Sequence, residues 1–518
     1  MSGSSIPVSP AQPDSDAQAQ HALLRAFVAT VQHFFGDFPQ FFAGVTDPRH
    51  PAWVTYSLAT LLFTGVLLFA CRLGSRRQIN HLFRGNQRSA AKFQALFRVE
   101  ACPHGDTLDA AFSRLNPAEL QEIVTGLTQT LIRRKVLYPY RLLGVYFLVV
   151  MDGTGVLVFS ERHCPHCLTR TRNGQTLYYH PLLEAKLVTR NGWALSLMTE
   201  FIENPSEHPT KQDCELQAFY RLADRLKQRF PRLPLCLLLD GLFAGGPTFD
   251  LCRRYGWKYL ITLREGDLPS VHREFEALLP LAPENHRHVS PRVPAEVDQD
   301  FHWVNDIAYT DSDNREHTLS VIECLDTCSL DGQLTLTYFK WVSNLMVTAK
   351  NVTELSNEGG RLRWKIENEG FNVQKNGGYA LEHPYSQNAT AAKVFYFLLQ
   401  IAHLLSQLVE HSSLFRHAFP AGLGSSKNFA FRLLEAWRNL CLTLFECHSS
   451  GPDTFKFASI PPDASSVFQA CPPRPFSTPR GMAFAAPVHV CAPPLQAIAC
   501  VAGRVRPHET QPRRILQG

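Results

Sequence analysis

Several signatures that would settle a function at once are missing from this chain. The N-terminus, "MSGSSIPVSPAQPDSD", lacks the basic start and apolar core of a secretory signal. The 14 cysteines show no regular spacing, and Cys236 and Cys252 sit inside apolar runs. That usage excludes a disulfide scaffold and points to buried thiols in a reducing compartment. "LPLCLLLDGLFAGG" has a Gly pair but not the Lys and Ser/Thr of a phosphate-cradling P-loop. There is no dinucleotide-binding fingerprint, no His/Ser/Asp grouping suited to acyl transfer, and no internal repeat.

What is present is a chain of 518 residues, 45% hydrophobic and 19% charged, with a formal net charge of +5. Its length suggests about three to four folding units, with enough apolar content for sizeable cores. A mildly basic balance is compatible with a nucleic-acid partner without requiring one. Residues 1–20 are polar and rich in Ser, Pro and Gln and are expected to lack fixed structure. Residues 21–135 read as helical, with Asn116-Pro117 as a cap opening "PAELQEIVTGLTQTLIRRK". Within them Ala52–Cys71 runs 20 residues without a charge, followed by Arg72, Arg76 and Arg77. It reads as a buried helix or, by length and flank, a membrane span with its basic side in the cytoplasm.

From Leu142 the texture changes. "LLGVYFLVVM" and "LPLCLLLD" are near-continuous apolar runs, as in strands buried on both faces. "KQDCELQAFYRLADRLKQRF" between them has helical spacing. Strands interrupted by helices in this order predict an α/β core with a mixed sheet over residues 136–265. Residues 266–350 alternate like antiparallel strands and read as a β-rich insertion. Helices resume over 351–449, and residues 450–518, rich in Pro and Ser, are expected to be a disordered tail.

Three carboxylates stand out in this frame. Asp152 ends the first apolar run, Asp240 ends the second, and Glu367 lies in "GRLRWKIENEGFNVQKNGGY", which reads as a helix. Each Asp precedes a Gly, and Asp-Gly is also an ordinary strand-end turn. Ligands in open α/β sheets, however, collect outside the carboxyl ends of strands. If the two strands lie side by side with a helix across them, the three oxygens can hold hard divalent cations such as Mg2+ or Mn2+. Two such ions about 4 Å apart suit phosphate-ester chemistry. Arg363 is four residues from Glu367 and shares its helix face, as an intrahelical pair or as a phosphate contact. Glu369 competes with Glu367 but lies about 200° round the helix.

The fragments "DGTG", "KQDCELQAFYRLADRL", "LLDGLFA", "WVSNL", "GRLRWKIENEGFN" and "GGYALEH" resemble one branch of the bacterial insertion-sequence transposases of the DDE class. The resemblance covers about residues 50–415 and implies an RNase H-like core, α/β with flanking helices. It implies Asp152, Asp240 and Glu367 as the metal-binding catalytic triad, with two Mg2+ or Mn2+ ions, and Arg363 as the Arg of the Tyr-Arg-Glu-Lys signature. The signature Tyr would fall at Gly360 and the Lys at Gln374, with Lys375 beside it. The implied activity is nicking of element ends followed by strand transfer to target DNA, by a homodimer on double-stranded DNA, in a bacterial cytoplasm with the nucleoid. No small-molecule substrate is implied. A catalytically silent DNA-binding descendant and a metal-dependent nuclease without strand transfer remain alternatives.

Two further segments carry chemistry. Residues 72–98 contain Arg72, Arg76, Arg77, Arg84, Arg88, Lys92 and Arg98 and no acid. They are candidates for phosphate contact, with Arg76, Arg77 and Arg84 foremost; the alternatives are a solvated basic face or a membrane-flanking cluster. Residues 21–135 would then be a DNA-end-binding and dimerisation region. His163-Cys164-Pro165-His166-Cys167 has the Cys-x2-Cys spacing of a Zn2+ site, with His180 as a further partner, but no second Cys pair lies nearby. With that pair missing, an unmetallated turn is the favoured reading.

Overall fold

The first apolar run does not become a strand at its start. Leu142 and Tyr146 close a tight turn through reciprocal backbone bonds of 2.9 and 3.0 Å. Leu143 and Gly144 stand at φ 52° and 68° inside it. The strand β1 (Phe147–Phe159) follows. The computed structural model describes residues 13–440 except 37, 163, 208, 291–296 and 331–332. The expected tail, 450–518, lies outside the described residues, as do residues 1–12. Residues 13–20 were expected to be unstructured and are not: the first helix spans Pro13–Phe35, and Leu23, Leu24 and Phe27 on it are buried. Its apolar face lies beyond the polar stretch that dominates the local composition.

The remaining strands are β2 (Leu168–Arg172), β3 (Gln175–Val188), β4 (Ala194–Phe201), β5 (Leu235–Leu239), β6 (Lys258–Thr262), β7 (His286–Val289), β8 (Asp298–Thr310), β9 (Glu316–Leu330) and β10 (Gln333–Ser343). They form one mixed sheet of ten strands in the order β2-β3-β1-β5-β6-β10-β9-β8-β7, with β4 beside β3. β1, β5 and β6 run parallel and every other pairing is antiparallel. The segment 266–350 is thus strand-rich, and it extends the same sheet from β6. It also holds a helix, Pro269–Leu278.

Alternation sorts the parallel strands between two cores, because successive side chains point to opposite faces. Val149, Met151, Leu237, Leu239 and Ile261 face a core shared with Leu58–Ala70, Pro117–Arg133, Glu215–Arg229 and Ala389–Glu410. Leu148, Val150, Cys236, Leu238 and Leu260 face a second core closed by Leu355, Leu362, Ile366 and Phe371. That second cover is the segment Val352–Asn376, a succession of short α, 3-10 and wide π turns rather than one regular helix. Gly359 and Gly360 let it come close. A Cβ on Gly359 would lie 2.6 Å from Leu260 Cδ1, and one on Gly360 2.5 Å from the Trp341 ring.

The uncharged run Ala52–Cys71 contributes a 13-residue helix, Leu58–Ala70, with Ser57 as its cap and nearly every residue buried. One helix among the described residues is long and apolar enough to cross a membrane, Ala389–Glu410, and 83% of its apolar window is buried inside the fold.

Candidate active site

Parallel pairing brings the two Asp residues level. The β1–β5 register ends at Val150 opposite Leu238. Two residues further along each strand stand Asp152 and Asp240, on neighbours roughly 4.8 Å apart. Their settings differ. Asp152 was expected at a strand end, but β1 continues to Phe159 because β3 pairs with it along the whole length, Asp152 opposite Glu184. Asp240 does end its strand. It caps the turn Gly241–Phe243 by accepting from Leu242 N–H at 3.0 Å, and Arg264 donates to its other oxygen at 3.2 Å.

Asp152 has the same parity as Leu148 and Val150 and therefore faces the Val352–Asn376 segment. Arg363, almost fully buried, spans the gap. Its Nη1 lies 2.9 Å from Glu367 Oε1 and 3.8 Å from Asp152 Oδ2. Glu369 instead accepts from Lys365 at 2.6 Å, a separate pair two residues on. Glu367, not Glu369, shares Arg363 with Asp152.

A fourth carboxylate belongs to this cluster, and the sequence pattern did not single it out. Glu215 opens the helix Glu215–Arg229, and a Cβ on Gly153 would lie 2.6 Å from its Oε2. Glu215 therefore lies directly against the backbone at Gly153, the residue after Asp152. An acid in a first helical turn is unremarkable, so Glu215 was hidden by its position. The available signal was its helical face: Glu215 precedes the buried Ala218, Phe219 and Leu222 by three, four and seven residues.

The electrostatics follow from this crowding. Burial, then the charge of Glu367, pushes the Asp152 carboxyl well above the usual range; Arg363 opposes, while Glu215 and Asp240 add to the rise. Burial, then Asp240, raises Glu215 to about 7, against a lowering by the Gly153 N–H. Four acids thus share a region with two guanidinium groups, and repulsion between them is only partly offset. A cavity of about 650 Å³ lies elsewhere, lined by Glu200, Glu203, Asp213 and Arg221 among others. Arg221 there is already bound to Glu200 and Asp213.

The two positions where the resemblance expects Tyr and Lys are tightly packed. A side chain at Gly360 would enter the Trp341 ring. Gln374 is fully buried and bonds Gln400 at 2.8 Å and His403 at 2.9 Å. Lys375 pairs with Glu382 at 2.9 Å.

The basic run 72–98 is not one surface. Arg72 lies 3.9 Å over the Tyr379 ring and donates to Gly377 O and Ser426 O. Arg76 pairs with Asp109 at 3.1 Å. Lys92 is buried and donates to Trp437 O at 2.6 Å. Arg77, Arg84, Arg88 and Arg98 are exposed, although Arg88 also reaches Asn439 O. Cys164, Cys167 and His180 do come together, with Sγ to Sγ 3.4 Å and Sγ to His180 Nε2 3.4 and 3.3 Å.

Fold and site define a mixed α/β protein with an acidic cluster just beyond the point where the parallel pairing of β1 and β5 ends. The family model described as DDE_Tnp_1-associated matches residues 39–127, the helices preceding the sheet, and this match points to the DDE transposase family. No curated protein matches the chain at a significant level.

Proposed function

We propose that this protein is a DDE-class DNA transposase with an RNase H-like core, cutting insertion-sequence ends and joining them to target DNA. The observation that carries the reading is Asp152 and Asp240 at one level on neighbouring parallel strands, with Arg363 lying between Asp152 and Glu367 of the covering segment. The strand order β4-β3-β1-β5-β6, the strand-rich extension before the Glu segment and the match over residues 39–127 support the same reading.

The donor set fits hard divalent cations: every donor is a carboxylate oxygen, and the cluster holds more negative charge than Arg363 and Arg264 offset. Asp152, Asp240 and Glu367 would hold Mg2+ or Mn2+. When bound, such ions lower the pKa of an attacking water or 3′-hydroxyl and stabilise the leaving oxygen. The protein's own part is positional. β1 and β5 fix the two Asp residues at one level, the Val352–Asn376 segment brings Glu367 to them, and Arg363 keeps like charges together. Arg363 is also the group beside the cluster best shaped to take a phosphate in a bidentate grip. Arg77 and Arg84, exposed on the N-terminal helices, would contact DNA phosphates, with smaller parts for Arg76 and Lys375, which already have acidic partners. The acting form would be a homodimer on paired ends, in the bacterial cytoplasm.

A silent DNA-binding descendant is the second reading, favoured by Gly360 and Gln374, whose packing leaves no Tyr or Lys in the signature places. Cleavage of a duplex bearing the element ends separates them, with Mg2+ or Mn2+, for wild type, Asp152→Ala, Asp240→Ala, Glu367→Ala and Glu369→Ala. The proposal requires nicking by wild type and by Glu369→Ala, and none by the other three. Binding without cutting by wild type supports the silent descendant, and cutting without joining a nuclease.

A further inference from the structure

A second cluster differs from the acidic one in every chemical respect. The turn Cys164–Cys167 leaves the end of β1 and enters β2. Leu168 pairs with Tyr179 across the antiparallel β2–β3 ladder, so the next position outward sets Cys167 against His180. Cys164, three residues earlier, folds back over the pair. The three ligand atoms stand 3.3–3.4 Å apart. Among the described residues, no other three His, Cys, Asp or Glu ligand atoms come within 4.8 Å of one another.

We propose that Cys164, Cys167 and His180 bind one zinc ion, which clamps the β2–β3 hairpin to the end of β1. Zn–S bonds of about 2.3 Å and Zn–N bonds of about 2.0–2.1 Å place tetrahedral donors roughly 3.5–3.8 Å apart. The observed triangle is within a few tenths of an ångström of that. Two thiolates and an imidazole select a borderline-soft ion over Mg2+ or Ca2+. The sulfurs are well beyond the bond length of a disulfide, about 2.05 Å.

The turn is held for this purpose by a buried residue on another segment. Asn204 is 2% exposed. Its N–H donates to His166 O at 3.1 Å, its Nδ2 donates to Cys167 O at 2.8 Å, and its carbonyl lies 2.8 Å from His166 Nδ1. His166 is thereby committed to the scaffold, and three donors face the ion. The fourth tetrahedral position is left to water or a further donor. The site is separate from the acidic cluster. His180 stands opposite Leu157, five residues and roughly 17 Å of strand beyond Asp152. It does not depend on the transposase reading.

The test is metal content and cobalt spectroscopy on the full chain, purified anaerobically with reductant and without chelator. Wild type, Asp152→Ala and Cys214→Ser, which alters an exposed thiol, should each hold about one zinc per chain. Cys164→Ser with Cys167→Ser should hold less than about a tenth of that, and His180→Gln should bind at least about tenfold more weakly. Cobalt-loaded wild type should show a thiolate-to-metal charge-transfer band, a readout that stands even where a variant fails to fold. Absence of zinc together with absence of that band after reconstitution overturns the proposal. So does a Cys164–Cys167 disulfide found by non-reducing mass spectrometry of the same material.

Discussion

The acidic cluster and the Cys–His cluster both touch the β1–β3 ladder, through Asp152 on β1 and His180 on β3, and are assembled by opposite means. Cys164 and Cys167 are neighbours in sequence, and a single hairpin supplies His180, so local structure suffices and the donor atoms meet in a tight triangle. Asp152, Glu215, Asp240 and Glu367 come from elements spread over more than two hundred residues and converge only when the sheet and both its covers are in place. Their oxygens are looser, and Arg363 lies between two of them. A short motif can therefore be read for its ligands but not for whether its atoms meet. A dispersed one can be read for its residue types but needs the register to show what else arrives.

The sharpest way to break the comparison is to remove one member of each cluster. Asp152→Asn should reduce cleavage by about 10³-fold or more and leave zinc content unchanged. Cys167→Ser should do the reverse, with cleavage falling only as far as hairpin order does. Equal loss in both assays from either substitution would merge the two sites into one.

The next effect is on packing. Gly360→Tyr restores the signature residue but drives it into Trp341, and should cost at least about 1–3 kcal/mol, read as a lower midpoint in denaturant unfolding. Wild-type stability in this variant would mean that the covering segment can move off Trp341 freely.

The basic run gives a smaller contrast. Arg77→Gln with Arg84→Gln should weaken DNA binding and lower the salt slope by about 0.9 for each phosphate no longer neutralised. Arg72→Gln should mainly lower stability, since its guanidinium lies on Tyr379 and on backbone carbonyls. A salt slope that moves only with Arg72 would reverse the assignment.

The smallest effect concerns an acid outside both clusters. Burial raises Glu410 from 4.5 to about 7, against a lowering by Arg72. A folded-state pKa above the unfolded value means a contribution present below about 4.5 and lost as pH rises through about 7. Glu410→Gln should therefore unfold with less pH dependence than wild type between about pH 5 and 8. An unchanged profile would place that carboxyl in water.

Much of this was legible in the residues, for reasons that differ by element. The runs Leu142–Met151 and "LPLCLLLD" read as strands because both faces are buried, although the first enters its strand only at Phe147, and Asn116-Pro117 read as a cap because it is one. The continuation of β1 past Asp152 was not legible, since the pairing that sustains it lies on β3 and Asp-Gly alone signals a turn. The split of the basic run was hidden likewise: Arg72 and Lys92 find their carbonyls on Gly377, Ser426 and Trp437, over three hundred residues away. Glu215 was masked by the ordinary preference of helix starts for acids.

The most direct measurement is Mn2+ binding followed by electron paramagnetic resonance, on wild type, Asp152→Asn, Asp240→Asn and Cys167→Ser. The account predicts bound Mn2+ in wild type and Cys167→Ser, with affinity lowered at least about tenfold in each Asp variant. Equal Mn2+ binding by all four proteins, or none by wild type with element-end DNA present, would contradict it.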